Sequence, residues 1–394
     1  MSRGSAPAAR VPGPLVLGTL IPRTGDLAHL GPAEEAGVQL AVKDINAAGG
    51  VLGQPVSVVD GDSGDGFSSV ASQTVDRLLG RRVTAVVGAT GSAVTLTVVD
   101  KVVGAGAVEV SPGDASTRLT GYPARGLYFR IVPPDTFEAA VLASTIIAAG
   151  HRTLAVLAVR DPSASGYATA LEADFVRAGG RVLASIEYDG QAADLSGPAG
   201  QMAVAGASAD VVIGMGETSA IVHDLVKANA GPDVVPLYVT DLAPWATLAQ
   251  GLTPAQSAGI TGIRPGAGTD PAFLARLRAQ SPDVRDFGYA AQSYDATVLI
   301  ALAAQMAGSV RGRDIAAALP GVTHGQTACS TFVLCLAQVK AGRTIAYVGQ
   351  AGAVHLGAQG DPLDGSVGVY RFGADGVVSP VRIYRSGTFP AAAG

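Results

Sequence analysis

The chain has 394 residues, 48% of them apolar and 15% charged, with a net charge of −5. At roughly 150 residues per domain, that length carries two or three domains and more than one sizeable core. Its 52 glycines and 23 prolines stay below the roughly 25–30% of low-complexity disorder. The acidic balance leaves no broad basic face to neutralise phosphates, which excludes nucleic acid as a partner.

Mean hydropathy is +0.34, yet no segment reads as the span of about 18 mostly apolar residues that crosses a bilayer. Residues 83–99 are uncharged, but Gly88, Gly91 and Ser92 break them into strand, loop and helix start. Residues 1–13 carry no apolar signal-peptide region and read as a flexible tether behind a processed terminus. Only Cys329 and Cys335 occur, at a spacing that a short loop or helical turn can close. A disulfide there favours an oxidising, extracytoplasmic location. The alternative is two unrelated core residues; zinc is disfavoured because no histidine or second CxxC lies nearby.

Residues 15–21 (LVLGTLI) form a continuous apolar run, the pattern of a strand buried on both faces of a parallel sheet. A helix follows over 32–48, with proline at its start and Gly49-Gly50 as its stop. Then come a strand in VSVVD, a helix over 68–79, a strand at 84–88, a helix from Ser92 and a strand at 107–111. The alternation restarts after Phe129, with strands at 153–159, 181–188, 210–214 and 235–239 separated by helices near 167–178, 194–206 and 217–230. Two α/β lobes result. Right-handed crossovers make both sheets parallel and set the ligand-facing loops at the carboxyl ends of their strands. More helix is expected at 274–279, 294–307 and 314–319, and the tail after Tyr347 is β-rich.

The opening LGTLIPRTGDLAHLGPAEEAGVQLAVKDINAAGGVLGQPVSVVDGDSGD resembles the type I periplasmic binding proteins of the branched-chain amino-acid (Leu/Ile/Val) transport group. The likeness continues through VTAVVGATGSAVT, VEVSPGDASTRLT, YFRIVPPD, VRDPSASGYATALEADFVRAGGRV and QSYDATVLIALAAQMAG, about residues 14–320. The resemblance implies two Rossmann-like lobes joined by a hinge that the chain crosses three times, near 130–134, 262–266 and 366–372. Lobe one would comprise 14–132 and 264–366, and lobe two 133–263 and 367–394. The CxxxxxC and its Gly-Asp-rich tail are also similar to binding proteins of high-GC Gram-positive bacteria, which tether such receptors by an N-terminal lipid. That implies a lipoprotein, periplasmic or at the cell surface, delivering its solute to a membrane ABC permease.

Residues 88–92 (GATGS) join a strand to a helix, where free N–H groups and the helix dipole suit an anion. In the resembling family this loop holds the ligand's α-carboxylate, which points to Gly91 and Ser92; an N-cap is the other reading of Ser92. The next loop, 111–117, has Ala115 where the family has a threonine, and Ser116 is placed to substitute or to cap a helix. Asp241 matches the family's acid facing the ligand ammonium, with a surface cap as the alternative; in a closed cleft such a carboxylate needs a cation. Three tyrosines of amino-acid receptors are replaced by Leu30, Ser165 and Gly216, Tyr289 keeps an aromatic, and Glu217 adds a second carboxylate. Tyr167 is close enough to Ser165 in sequence to fill some of the lost space. Losing aromatic walls reshapes the pocket, so a branched-chain ligand does not follow. Trp245, the single tryptophan, reads as packing below a loop more readily than as a ligand stack.

Gly61-Asp62-Ser63-Gly64, with His29 upstream, is reminiscent of a serine-protease loop, but it follows a parallel-sheet strand where that fold is all-β. Asp60, Asp62 and Asp65 miss the calcium-loop pattern, residues 214–219 form half a dinucleotide fingerprint, and five scattered histidines show no metal spacing. The reading is therefore a non-enzymatic, monomeric solute-binding protein without cofactor or metal. Its ligand is a small amino acid or related carboxylate; the alternatives are an aromatic acid, an amide or other solute, or a sensing domain of the same fold.

Overall fold

The structure is a computed structural model and describes residues 13–387; the expected tether over 1–12 and the end of the tail lie outside that range. The first half builds β1 (Val16–Leu20), α1 (Gly31–Ala47), β2 (Ser57–Val59), α2 (Val70–Gly80), β3 (Ala85–Gly88), α3 (Ser92–Gly104), β4 (Val108–Ser111) and β5 (Tyr128–Arg130). All five strands pair in parallel in the order β2-β1-β3-β4-β5. β1, β3 and β4 are buried almost throughout, which explains their lack of polar alternation. α1 carries Pro32 in its first turn and is stopped by Gly49 and Gly50 just past its end, both in the left-handed region that glycine adopts without penalty.

The chain then enters a second sheet through α4 (Asp135–Ala148), β6 (Thr153–Val159), α5 (Pro162–Arg177), β7 (Arg181–Tyr188), α6 (Ser196–Val204), β8 (Ala209–Ile213), α7 (Thr218–Lys227) and β9 (Leu237–Val239). Two short helices follow, α8 (Trp245–Leu248) and α9 (Pro254–Ala258), and then β10 (Ile260–Pro265). Next come α10 (Pro271–Gln280), α11 (Ala290–Ala307), α12 (Gly312–Thr323), β11 (Thr327–Cys329), α13 (Phe332–Lys340), β12 (Ile345–Gly349) and β13 (Gly352–Ala353); β14 (Ser366–Phe372) and β15 (Val378–Arg385) complete the chain.

The second sheet runs β15-β14-β10-β9-β8-β6-β7. Here the all-parallel expectation is corrected. The β10/β14 and β14/β15 pairs are antiparallel, because the chain returns to this sheet from the other lobe and then closes a hairpin. β11, β12 and β13 form a small third sheet. Cys329 and Cys335 are joined as a disulfide beside it, with Cα atoms 5.3 Å apart.

Each large sheet has its own apolar core. α11 belongs to the first and is buried along nearly its whole length, hence its apolar character on every side. The segments linking the sheets lie together. The Gly266 N–H donates to the Ser366 carbonyl at 2.7 Å, and a Cβ at Gly365 would stand 2.8 Å from Pro133. A small seam of Leu27, Leu30, Val132 and Tyr289, with Ala115, Met215 and Leu242 against it, packs across both lobes.

Candidate functional site

A cavity of about 80 Å³ lies between the carboxyl ends of the two sheets. Since one water needs roughly 10–15 Å³ by this measure, it has room for several water-sized groups, the scale of a small solute. From the first lobe it is lined by Thr90 and Gly91 of the loop after β3, by Ser92 at the start of α3, and by Gly113, Ala115 and Ser116 after β4. From the second come Asp135, Tyr167, residues 213–215, Thr240 and Asp241.

Ser92 is the first residue of α3, whose N-cap is Gly91, and its side chain makes no cap bond. Instead its Oγ accepts the Ser116 N–H at 3.2 Å and ties the two loops together. Ser116 Oγ accepts the Arg118 N–H at 3.3 Å, capping the short turn that follows. The loop is held from behind by Arg130, fully buried, which donates to the carbonyls of Asp114 and Ser116 and forms an ion pair with Asp361 at 2.7 Å. A cation committed in this way fixes loop geometry without presenting its charge to the cavity.

Asp241 is buried at the cavity and accepts the Tyr289 hydroxyl. Tyr289 sits in the left-handed region at φ 63° immediately before α11, a conformation sparsely allowed to a bulky residue. Burial holds the Asp241 carboxyl above the usual carboxylate range despite the tyrosine and Arg264. Arg264 is itself bound bidentately to Asp286, at 2.9 and 2.7 Å.

Not every expected residue reaches the cavity. Gly91, Ser92, Ala115, Ser116 and Asp241 line it; Leu30, Ser165, Glu217 and Tyr289 do not. On α5 the residues that line the cavity are Ser163, Ala164 and Tyr167, and the 100° step of a helix turns Ser165 sideways, where its hydroxyl donates to Glu187 at 2.7 Å. Glu217 folds back to accept the Met215 N–H and the Tyr188 hydroxyl. Leu30 and Tyr289 pack in the seam beneath. Trp245 is buried, with its N–H on the Thr240 carbonyl at 2.9 Å and its ring under Arg264 and against Tyr370 and Phe372. Ser63 lines the cavity, and its hydroxyl donates to the Gly64 carbonyl.

Residues that sequence reasoning missed are Asp135 and Glu138 on α4, one helical turn apart. Asp135 lines the cavity, and burial, then Asp241, push its carboxyl up to about 8. Glu138 is buried behind Tyr167, which donates to it at 3.3 Å; burial, then Asp241 and Asp135, raise it well above its ordinary value. The lobes are closed over this site. The Asp26 carboxylate accepts the Gln191 side-chain amide at 2.8 and 3.0 Å, and the Gly216 N–H donates to the Asp26 carbonyl at 3.2 Å.

Two sheets with a cavity at their facing carboxyl ends define a clamp, and the periplasmic binding protein profile matches residues 14–352. The chain belongs to the periplasmic binding protein family. A relative in Halobacterium salinarum, the chemotactic signal transduction system substrate-binding protein BasB, is 27% identical, with 89% of this chain and 86% of that protein aligned. Among solved structures, the fold is similar to the branched-chain amino acid transporter substrate-binding protein LivJ of Streptococcus pneumoniae in complex with isoleucine. That pair has a TM-score of 0.78 at 22% identity, covering 95% of this chain and all of that one. It is also similar to an ABC-transporter solute-binding protein of R. palustris in complex with benzoate, TM-score 0.73 at 17% identity, covering 94% and 96%.

Proposed function

We propose that this protein is the extracytoplasmic receptor of an ABC importer and binds a small amino acid by closing two lobes over it. Residues 14–132 with 264–366 would form one lobe, and 133–263 with the tail the other. The observation that carries the reading is the polarity of the cavity: a helix N-terminus with Ser92 and Ser116 on one side, and the carboxylate of Asp241 on the other. A zwitterion places its carboxylate at the first and its ammonium at the second. Solute contacts made by both lobes only when they meet favour the closed state, which a permease then recognises. A lipid-anchored monomer fits the disulfide and the family. The curated relative's part in chemotaxis favours a second reading, a sensing receptor of the same fold.

The test is a thermal-shift and calorimetric screen of ligand-stripped protein against amino acids, aromatic acids and amides, repeated with Asp241→Asn. The expected result is binding of an α-amino acid that the variant weakens roughly 10- to 100-fold, the scale of a hydrogen bond to a charged group. Unchanged affinity in the variant removes the ammonium role, and binding of amine-free acids alone selects the aromatic-acid alternative.

A further inference from the structure

Six aspartates and one arginine line the cavity. Four of the aspartates are occupied by their own loops or by lobe closure. Asp65 accepts the Phe67 and Ser68 N–H groups, Asp161 caps α5, Asp189 accepts the Gln191 N–H, and Asp26 holds the Gln191 amide. The arginine, Arg160, is exposed. Two carboxylates remain toward the solute: Asp241, which among the described residues accepts the Tyr289 hydroxyl and no other side chain, and Asp135, to whose side chain none of the described residues donates a hydrogen bond. The nearest buried guanidinium groups are already paired, Arg130 with Asp361 and Arg264 with Asp286. A second, independent observation sits beside them: Thr240 lines the cavity, is 2% exposed, and its Oγ1 has no hydrogen-bond partner. A neutral amino acid offers one ammonium to this set and leaves a carboxylate and a buried hydroxyl unmatched.

Resting on the amino-acid reading above, in which Asp241 takes the α-ammonium, we infer that the solute is a basic amino acid, whose second cationic group is seated at Asp135 and the Thr240 hydroxyl. Glu138, held by Tyr167 behind them on the same helix face, is a third acid whose burial favours its neutral form until a cation is bound beside it. Arg130 and Arg264 are the positive groups that act on these acids.

The experiment is isothermal titration of the stripped protein with L-lysine, L-ornithine and L-arginine, against L-leucine, L-isoleucine and the carboxylate-free diamine putrescine. The basic amino acids are expected to bind at least ten-fold more tightly than the neutral ones, and putrescine weakly, since it leaves the Ser92 end empty. Asp135→Asn should weaken the preferred basic amino acid about 10- to 100-fold. Thr240→Val, which keeps side-chain volume, should weaken it severalfold and serves if the first variant does not fold. Leucine or isoleucine binding as tightly as lysine, or unchanged lysine affinity in both variants, overturns this inference and leaves the amino-acid reading standing. Silence with every amino acid removes both.

Discussion

Gly216 offers a test of closure separate from the chemistry of the cavity. It is absent from the cavity lining, and its N–H meets the Asp26 carbonyl of the opposite lobe at 3.2 Å. A Cβ there would stand 2.9 Å from that oxygen, closer than real side chains approach, and Gly216 does not occupy the left-handed region, so alanine fits its backbone. Gly216→Ala should therefore strain only the closed state. The hydrogen bond is worth about 0.5–1.5 kcal/mol net, and the adjacent Asp26–Gln191 contact a similar amount if it parts with it. A total of roughly 1–3 kcal/mol appears as a 5- to 150-fold weaker apparent Kd, because ligand must first restore the closed population. Calorimetry measures the affinity, and small-angle scattering of the saturated protein measures compaction. Gly197→Ala in α6, where a Cβ meets nothing within 4 Å, is the control. If Gly216→Ala binds as tightly as the parent, the bound state does not use this contact and the closure argument fails.

Replacing Cys329 and Cys335 by serine opens a short loop beside the third sheet, and the loop-entropy relation puts the loss near 2 kcal/mol; melting should fall by a few degrees while ligand affinity holds. Stability should also decline as pH rises from about 4.5 to about 8. Burial raises Glu34 and Asp135 to about 8, Asp210 to about 7, and Asp114 and Asp295 to about 6, so the folded chain binds protons that the unfolded chain releases. Glu34→Gln keeps an acceptor for the Thr90 hydroxyl, now at 2.6 Å. It should melt higher than the parent at pH 8.5 and with it at pH 5; a parent whose melting temperature rises from pH 5 to 8 contradicts the burial argument.

Much of the architecture is legible because strands buried on both faces write uninterrupted apolar runs. TLAVLAV marks β6 in this way, while RVLASIEY, at the edge of the sheet, marks β7 by alternating exposed and half-buried residues; both strands have their expected bounds. β10 is harder, since ITGIRP contains glycine and proline and its partner, β14, lies 100 residues away. The antiparallel edge of the second sheet is a property of that distant pairing, which no local pattern records. In the site, Ser92 and Asp241 stand out because each follows a strand end. Asp135 and Glu138 occupy the first turn of α4, where acids are expected simply to complement the helix dipole. Their place over the cavity depends on how the chain leaves β5. Ser165 shows the opposite error: alignment gives position along a helix, and side-chain direction changes by 100° with each residue.

The interleaving of the two lobes also governs when they can form. β1 begins at Val16, yet α11, which packs on α1 and β3, begins at Ala290, and the second sheet waits for β14 and β15 after Ser366. At roughly 5–20 residues per second, about 15 to 50 s separate synthesis of β1 from that of α11. No prefix of the chain contains a finished lobe, so folding is essentially post-translational, and a nascent chain released before Ser366 is left with one incomplete sheet edge and a hinge lacking its third strand.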